Sequence, residues 1–277
     1  MTFYLDETDE EVLVALCWAM PLSTTQLRRL TAPDRHRETF RRRLNRLEDQ
    51  RLIAHATDAL IVPHRRTPQK RDFIWELTDA GFNKVPEDRR RPQHGKGTRR
   101  VLIRHDLMVG ELLSLVVERE RGRLSGLLLD REVRLDREQP RPRCDAILSL
   151  RHGPPVLRGL PWQHDAPGVT GEQVSSWALE VDRDTEGLAV IRDKALAYQS
   201  RWNDPSFYKR YGRMPIPVWI APDAKRLDAI NRMWAAAWPE GRWYGTTDAK
   251  LPELFFVEWN AGQQRAVGLL DGWGVED

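Results

Sequence analysis

The chain has 277 residues, 40% of them hydrophobic and 31% charged, with a mean hydropathy of −0.60 and a formal net charge of +3. That length suits two ordinary domains. No apolar run is long enough to span a bilayer, and the acidic opening MTFYLDETDEEV lacks the basic-then-apolar pattern of a signal peptide. Cys17 and Cys144 are too few for a disulfide framework or a zinc cluster, so a reducing cytoplasm is expected.

The charge is unevenly spread. Residues 28–104 carry 21 Lys/Arg against 10 Asp/Glu, whereas residues 105–277 carry 23 against 26. A basic first part joined to a nearly neutral second part points to a polyanion partner, nucleic acid above all. The competing reading is an arginine-rich surface that is merely solvated.

In chain order, DEEVLVALCWAM reads as an amphipathic helix with Val12, Leu13, Leu16 and Met20 near one face, ended by Pro21. STTQLRRL follows as a second helix, with Ser23 as its N-cap and Leu27 and Leu30 facing inward. A third helix is expected from Pro33 and Asp34 through RHRETFRRRLNRLEDQRLI. Phe40, Leu44 and Leu47 form its apolar stripe, and Arg37, Arg41, Arg42 and Arg46 fall largely outside that stripe. Two extended stretches, LIAHATDALIVPH and RDFIWELTD, are joined by the basic tip RRTPQKR and closed by LTDAGF. Residues 86–100, PEDRRRPQHGKGTRR, read as a basic linker.

From residue 101 the texture changes, and a second domain is expected over 101–277. VLIRHDLMVGELLSLVVERERGRL reads as a long helix, GLLLDREVRLD and RPRCDAILSL as strands, and the segment between residues 151 and 176 as a long loop. In WALEVDRDTEG, Trp177, Leu179 and Val181 alternate with Ala178, Glu180 and Asp182, the period of a strand. Two carboxylates then project from one face about 7 Å apart. Like charges so placed need partners. The helix TEGLAVIRDKALAYQSRW, the strand IPVWIAP, the helix KRLDAINRMWAAAW and the strands WYGTTD and ELFFVEW complete the chain.

Three helices followed by a two-stranded ribbon is the order of a winged helix-turn-helix, and LTDAGF resembles the L-T-x-x-G ending common after the wing of bacterial winged-helix regulators. There the third helix enters the major groove and the wing contacts the backbone. The resemblance implies DNA contacts from Arg37, Arg41, Arg42, Arg46, Arg65, Arg66 and Lys70. The second part, ordered helix, strand, strand, strand, helix, strand, resembles the αβββαβ core of the PD-(D/E)xK restriction-endonuclease-like superfamily. RPRCDAILSL, WALEVDRDTEG and IRDKALAYQ together resemble the replication-relaxation family of plasmid and mobile-element proteins. The expected fold class is α/β (α+β): a winged helix-turn-helix over 1–85, the linker 86–100, and a nuclease-like domain over 101–277.

By this resemblance Asp145 and Glu180 match the metal-binding acids of PD-(D/E)xK enzymes. Asp182 stands at the usual lysine position, and Lys194, with Tyr198 one turn later, is available from the following helix. Asp145, Glu180 and Asp182 would hold Mg²⁺ or Mn²⁺, with Lys194 assisting an attacking water. Glu111 reads as an outer ligand or a surface charge. Against the metal stands an ion network in which Glu180 and Asp182 pair with Arg143, Arg183, Arg192 or Lys194. The resemblance implies a DNA-binding protein acting in replication, relaxation or transfer of a plasmid or integrated element, its nuclease-like domain non-hydrolytic or weakly active. The alternatives are an active metal-dependent endonuclease and a protein–protein adaptor. Double-stranded DNA is the expected partner, with replication or relaxosome proteins and a second copy of the chain as further ones.

Overall fold

The sequence begins by closing a helix on itself. Asp6 and Asp9 exchange bonds, each carboxylate accepting from the other's backbone N–H at 2.9 and 3.2 Å, and this reciprocal cap starts α1 (Glu7–Ala19). Val12, Leu13, Leu16 and Trp18 of α1 are buried. Ser23 begins α2 (Thr24–Thr31) with a full capping box: its hydroxyl accepts from Gln26 N–H, while the Gln26 side chain accepts from Ser23 N–H. The third helix, α3 (Arg37–Asp49), starts three residues later than Pro33 and Asp34 suggest, because the His36 ring rather than Asp34 caps it, accepting from Glu38 N–H. Phe40, Leu44 and Leu47 are its buried face, as their spacing indicates.

In this computed structural model the described residues are 4–19, 21–56, 72–90, 103–134, 143–151, 160, 174–184, 186–206, 209, 214–260 and 263–268. Arg65, Arg66 and Lys70 of the expected wing tip lie outside them, as do residues 91–100 of the linker and nearly all of the loop before the WALEVD strand.

Helix α3 ends in a Schellman turn. Arg51 adopts φ 57°, Leu52 N–H reaches the Leu47 carbonyl at 3.0 Å, and Arg51 N–H reaches that of Glu48 at 2.7 Å. The chain then enters a small antiparallel sheet ordered β1–β3–β2, from β1 (Leu22–Ser23), β2 (Ile53–His55) and β3 (Ile74–Leu77). LTDAGF closes it for a definite reason. Thr78 caps the short helix α4 (Asp79–Phe82) by accepting from Gly81 N–H, and its hydroxyl donates to the carbonyls of Arg51 and Leu52. That closure presses Gly81 onto the Leu52 backbone so tightly that a Cβ would sit 1.9 Å from the carbonyl oxygen.

The chain divides into two compact units, Met1–Arg121 and Gly122–Asp277. The helix α5 (Ile103–Glu120), grouped with the second domain on sequence, is in the first unit and packs on α2. There Gln26 donates to the Leu107 carbonyl at 2.8 Å and to Glu111 at 3.1 Å, and Arg29 pairs with Glu111 at 2.8 Å and Glu118 at 3.2 Å. Glu111 is thus a partner of α2.

The second unit is built on a seven-stranded mixed sheet: β4 (Leu124–Arg134), β5 (Arg143–Arg151), β6 (Val174–Val181), β7 (Ile216–Ala221), β8 (Arg242–Thr247), β9 (Phe255–Asn260) and β10 (Gln263–Gly268), adjacent in chain order. Strands β4, β5 and β6 form an antiparallel meander, β6, β7 and β8 run parallel, and β9 and β10 return antiparallel. Parallel neighbours need crossovers, and α6 (Leu188–Trp202) and α7 (Ala224–Ala237) supply them. Both cover one sheet face, where Trp219, Trp234, Trp238 and Trp243 are almost wholly buried with Ile191, Ala195, Tyr198 and Ile230. Trp234 meets Trp219 and Trp243 edge-on at 5.4 and 5.6 Å, and Trp243 stacks on Trp259 at 5.9 Å. Each such pair contributes about 0.5–1.5 kcal/mol beyond its buried area. Strand β10 has no counterpart among the elements expected from the sequence. Among the described residues no helix is long and apolar enough to cross a membrane.

Replacing Gly81 by alanine is expected to force the β3–α4 closure off Leu52 and to destabilise the first unit by about 1–3 kcal/mol, the usual cost of overpacking. The measurement is a urea unfolding curve of the variant beside the parent.

Candidate functional site

The alternation in WALEVD puts Ala178 and Glu180 on the helix-covered face of β6. Ile147 of β5 is paired with Ala178, so two residues further along the antiparallel ladder Asp145 stands opposite Glu180. Asp145 is half-buried, and its Oδ2 accepts from Val181 N–H at 2.7 Å. On the parallel side Glu180 pairs with Trp219 of β7.

Glu180 is 1% exposed. A carboxylate so deeply buried requires donors, and α6 provides them from positions one turn apart. Lys194 Nζ donates to Oε2 at 2.9 Å, and the Tyr198 hydroxyl donates to Oε1 at 2.9 Å. The Lys194 ammonium also lies 3.1 Å from Glu186 Oε1 and 5.4 Å from the centre of the Trp219 ring, a cation–π contact. Burial pushes Glu180 up to about 7, with the neighbouring Asp145 charge adding to the rise against the opposing pull of Lys194. For Lys194 burial works the other way, but the charges of Glu180, Asp145 and Glu186 outweigh it and hold the ammonium above its ordinary range. Burial likewise raises Tyr198 and Cys144, keeping both protonated.

Asp182 follows a different course. It is 1% exposed, yet its Oδ2 is taken by the Arg226 guanidinium from the first turn of α7, and its Oδ1 accepts from Asp184 N–H at 2.9 Å. Arg226 also donates to the Glu186 carbonyl at 2.6 Å, tying down the turn that leaves β6. Arg226 is not among the residues expected at the site from the sequence; its place three residues after the N-cap Asp223 is the local signal that aims it back at the strand ends. Of the other arginines considered as partners, Arg183 pairs with Asp248 and Arg192 with its neighbour Asp193. The Arg143 side chain lies outside the described residues.

The structure therefore brings Asp145, Glu180, Lys194 and Tyr198 together and draws Asp182 away to Arg226. Among the described residues no group of three or more His, Cys, Asp or Glu side chains is arranged to hold a metal ion. Both Glu180 oxygens are taken by donors, as are both of Asp182. In this arrangement the Lys194 ammonium and the Arg226 guanidinium balance the charges of Glu180 and Asp182.

In the first unit the arginines of α3 divide. Arg43 and Arg46 reach the fully buried Asp9 at 2.6 and 2.5 Å. Arg37 approaches Asp72 at 3.5 Å and Arg41 pairs with Glu38 at 3.3 Å, both in exposed positions. Arg42 is exposed and has no partner among the described residues. A small cavity of about 230 Å³ opens at the start of α3, lined by Thr24, His36, Arg37, Glu38, Arg41, Asp72 and Phe73.

Two outcomes follow for the buried cluster. Lys194→Met removes the cation that opposes the rise of Glu180, so Glu180 takes up a proton at neutral pH; the variant should cost about 1–3 kcal/mol in urea unfolding at pH 7 and more above it, whereas Arg192→Met on the exposed face of the same helix should stay within about 0.5 kcal/mol. Because the folded-state value of Glu180 is raised from 4.5 to about 7, the folded protein holds an extra proton between those values. The stability of the parent should therefore fall relative to Glu180→Gln as pH rises from about 4.5 through 7, read as melting temperatures of the two proteins across that window.

No curated protein and no solved structure matches the chain. The sequence profile of the Replication-relaxation family matches residues 16–216, a span that takes in α2, α3, the small sheet, α5 and the strands bearing Asp145 and Glu180. On that match, over more than half its length, the chain belongs to the Replication-relaxation family.

Proposed function

We propose that the chain is a cytoplasmic, non-hydrolytic DNA-binding protein serving replication or relaxation of a plasmid or mobile element. In this reading the first unit is a winged helix-turn-helix, with α3 as recognition helix and the β2–β3 ribbon as wing. The second is a PD-(D/E)xK-like αβββαβ scaffold whose acids have become structural. The observation that carries the DNA-binding part is the presentation of α3: one face buried through Phe40, Leu44 and Leu47, one flank anchored on Asp9, and the rest displaying arginine to solvent. The charge excess of residues 28–104 supports it. The observation that carries the non-hydrolytic part is Glu180, whose two oxygens are held by Lys194 and Tyr198.

The same Lys194–Glu180 contact also favours a second reading, since it sets a lysine beside the acid of the nuclease pattern. In that reading Asp145 and Glu180 would take up Mg²⁺ or Mn²⁺ once Lys194 moved aside.

Fluorescence anisotropy with a labelled random-sequence duplex tests the first proposal. Binding should weaken about 10³-fold between 50 and 200 mM salt if some six phosphates are contacted. The triple variant Arg41→Ala, Arg42→Ala, Arg66→Ala should bind far less tightly. Duplex binding that the triple variant leaves unchanged, or none in the parent at low salt, would favour an adaptor that contacts protein. Incubation of supercoiled plasmid with either metal separates the readings of the second unit. Cleavage by the parent beyond that of Asp145→Ala would falsify the non-hydrolytic assignment.

A further inference from the structure

Successive residues of an α-helix are turned by about 100°, so the thirteen residues of α3 sort into faces without ambiguity. Phe40, Leu44 and Leu47 define the inward direction. One flank carries Arg37 and Arg41, and the other carries Arg43 and Arg46, bound to Asp9. Directly opposite the core lie Glu38, Arg42, Asn45 and Asp49, all exposed. Glu38 is engaged by Arg41. Arg42 and Asn45, three residues apart, have no partner among the described residues. Asp49, with Glu48 beside it, makes the C-terminal end of this face repulsive to phosphate, so the helix would approach a polyanion with the stretch from Arg37 to Asn45.

This is a division of labour. The Arg37 and Arg41 flank is suited to a phosphate strand that borders a groove, whereas Arg43 and Arg46 are committed to Asp9. The outermost stripe holds the two side chains whose geometry reads bases: the guanidinium fork matches O6 and N7 of guanine, and the carboxamide matches N6 and N7 of adenine. An arginine already tied to a carboxylate has lost part of its fork, and Arg46 is in that position. Arg42 and Asn45 keep theirs whole. The Asp9 anchor also fixes the rotation of α3 about its own axis, which decides the residues that point outward.

We propose that Arg42 and Asn45 are the specificity-determining residues of α3, reading a guanine and an adenine in nearby base pairs of a duplex, while Arg43 and Arg46 position the helix through Asp9. The inference rests on the DNA-binding reading above and names the chemistry that its helix recognises.

The test is selection from a random duplex library with the full chain, followed by binding of the selected site and a scrambled duplex to the parent, Arg42→Lys and Asn45→Ala. Arg42→Lys keeps the charge and removes the fork. Its salt dependence should match the parent's, while its preference for the selected site over the scrambled one should drop about tenfold or more and its selected motif should lose the guanine. Asn45→Ala should drop the preference to a similar extent and lose the adenine. Both positions are exposed, and melting temperatures equal to the parent's confirm folding. A parent that binds duplex without selecting any motif, or variants that select the parent's motif at an undiminished ratio, would overturn the inference and leave DNA binding standing. A parent that binds no duplex at low salt would overturn both.

Discussion

The second unit is organised around a carboxylate that water cannot reach. Glu180 sits on a central strand, faces a layer of tryptophans and is 1% exposed. Left alone, an ionised acid there would cost several kcal/mol, so the structure tolerates it only by bringing donors to it. Lys194 and Tyr198 meet that demand from consecutive turns of α6 and so set the height and rotation of the helix on the sheet. The aromatic layer responds to the same constraint: Trp219 gives the lysine an electron-rich face where a smaller side chain would leave an unfilled gap.

Asp182 shows how far local context separates two acids that stand two residues apart. Both Glu180 and Asp182 point to the helix-covered side, and both are buried. Glu180 lies under the middle of α6, while Asp182 lies past the end of β6, where the N-terminus of α7 begins. A guanidinium from that first turn reaches it and also clasps the Glu186 carbonyl. The strand end and the turn after it are thus tied by the contacts of Glu180 with Lys194 and of Asp182 with Arg226.

The first unit uses the same device. Asp9 is fully buried, caps its own helix by exchange with Asp6 and receives two arginines from α3. An acid placed inside therefore orients a basic helix outside it. The two flanks of α3 differ in consequence: the Asp9 side is held, and the outermost face, with Arg42 and Asn45, is left to solvent.

Much of this was legible in the amino-acid order. The spacing of Phe40, Leu44 and Leu47, the Ser23 cap, the LTDAGF closure and the alternation of WALEVD each follow from short-range rules, and the elements they imply are present. The order of strands and helices also carried the family resemblance, and Lys194 was already a named partner for Glu180. The rest depended on residues far apart in the chain. Arg226 is 44 positions from Asp182, Asp9 is 37 from Arg46, and Gln26 is 85 from Glu111. Local periodicity could place each of these side chains on a face but could not say what would stand across from it. The sequence by itself determined the elements and which side chains share a face, because those follow from the 3.6- and 2-residue periods of the backbone. Only the tertiary structure decided which acid met which cation, and hence that α5 joined the first unit and that the acids of β6 closed on protein donors, because burial energies are settled by neighbours that folding alone brings together.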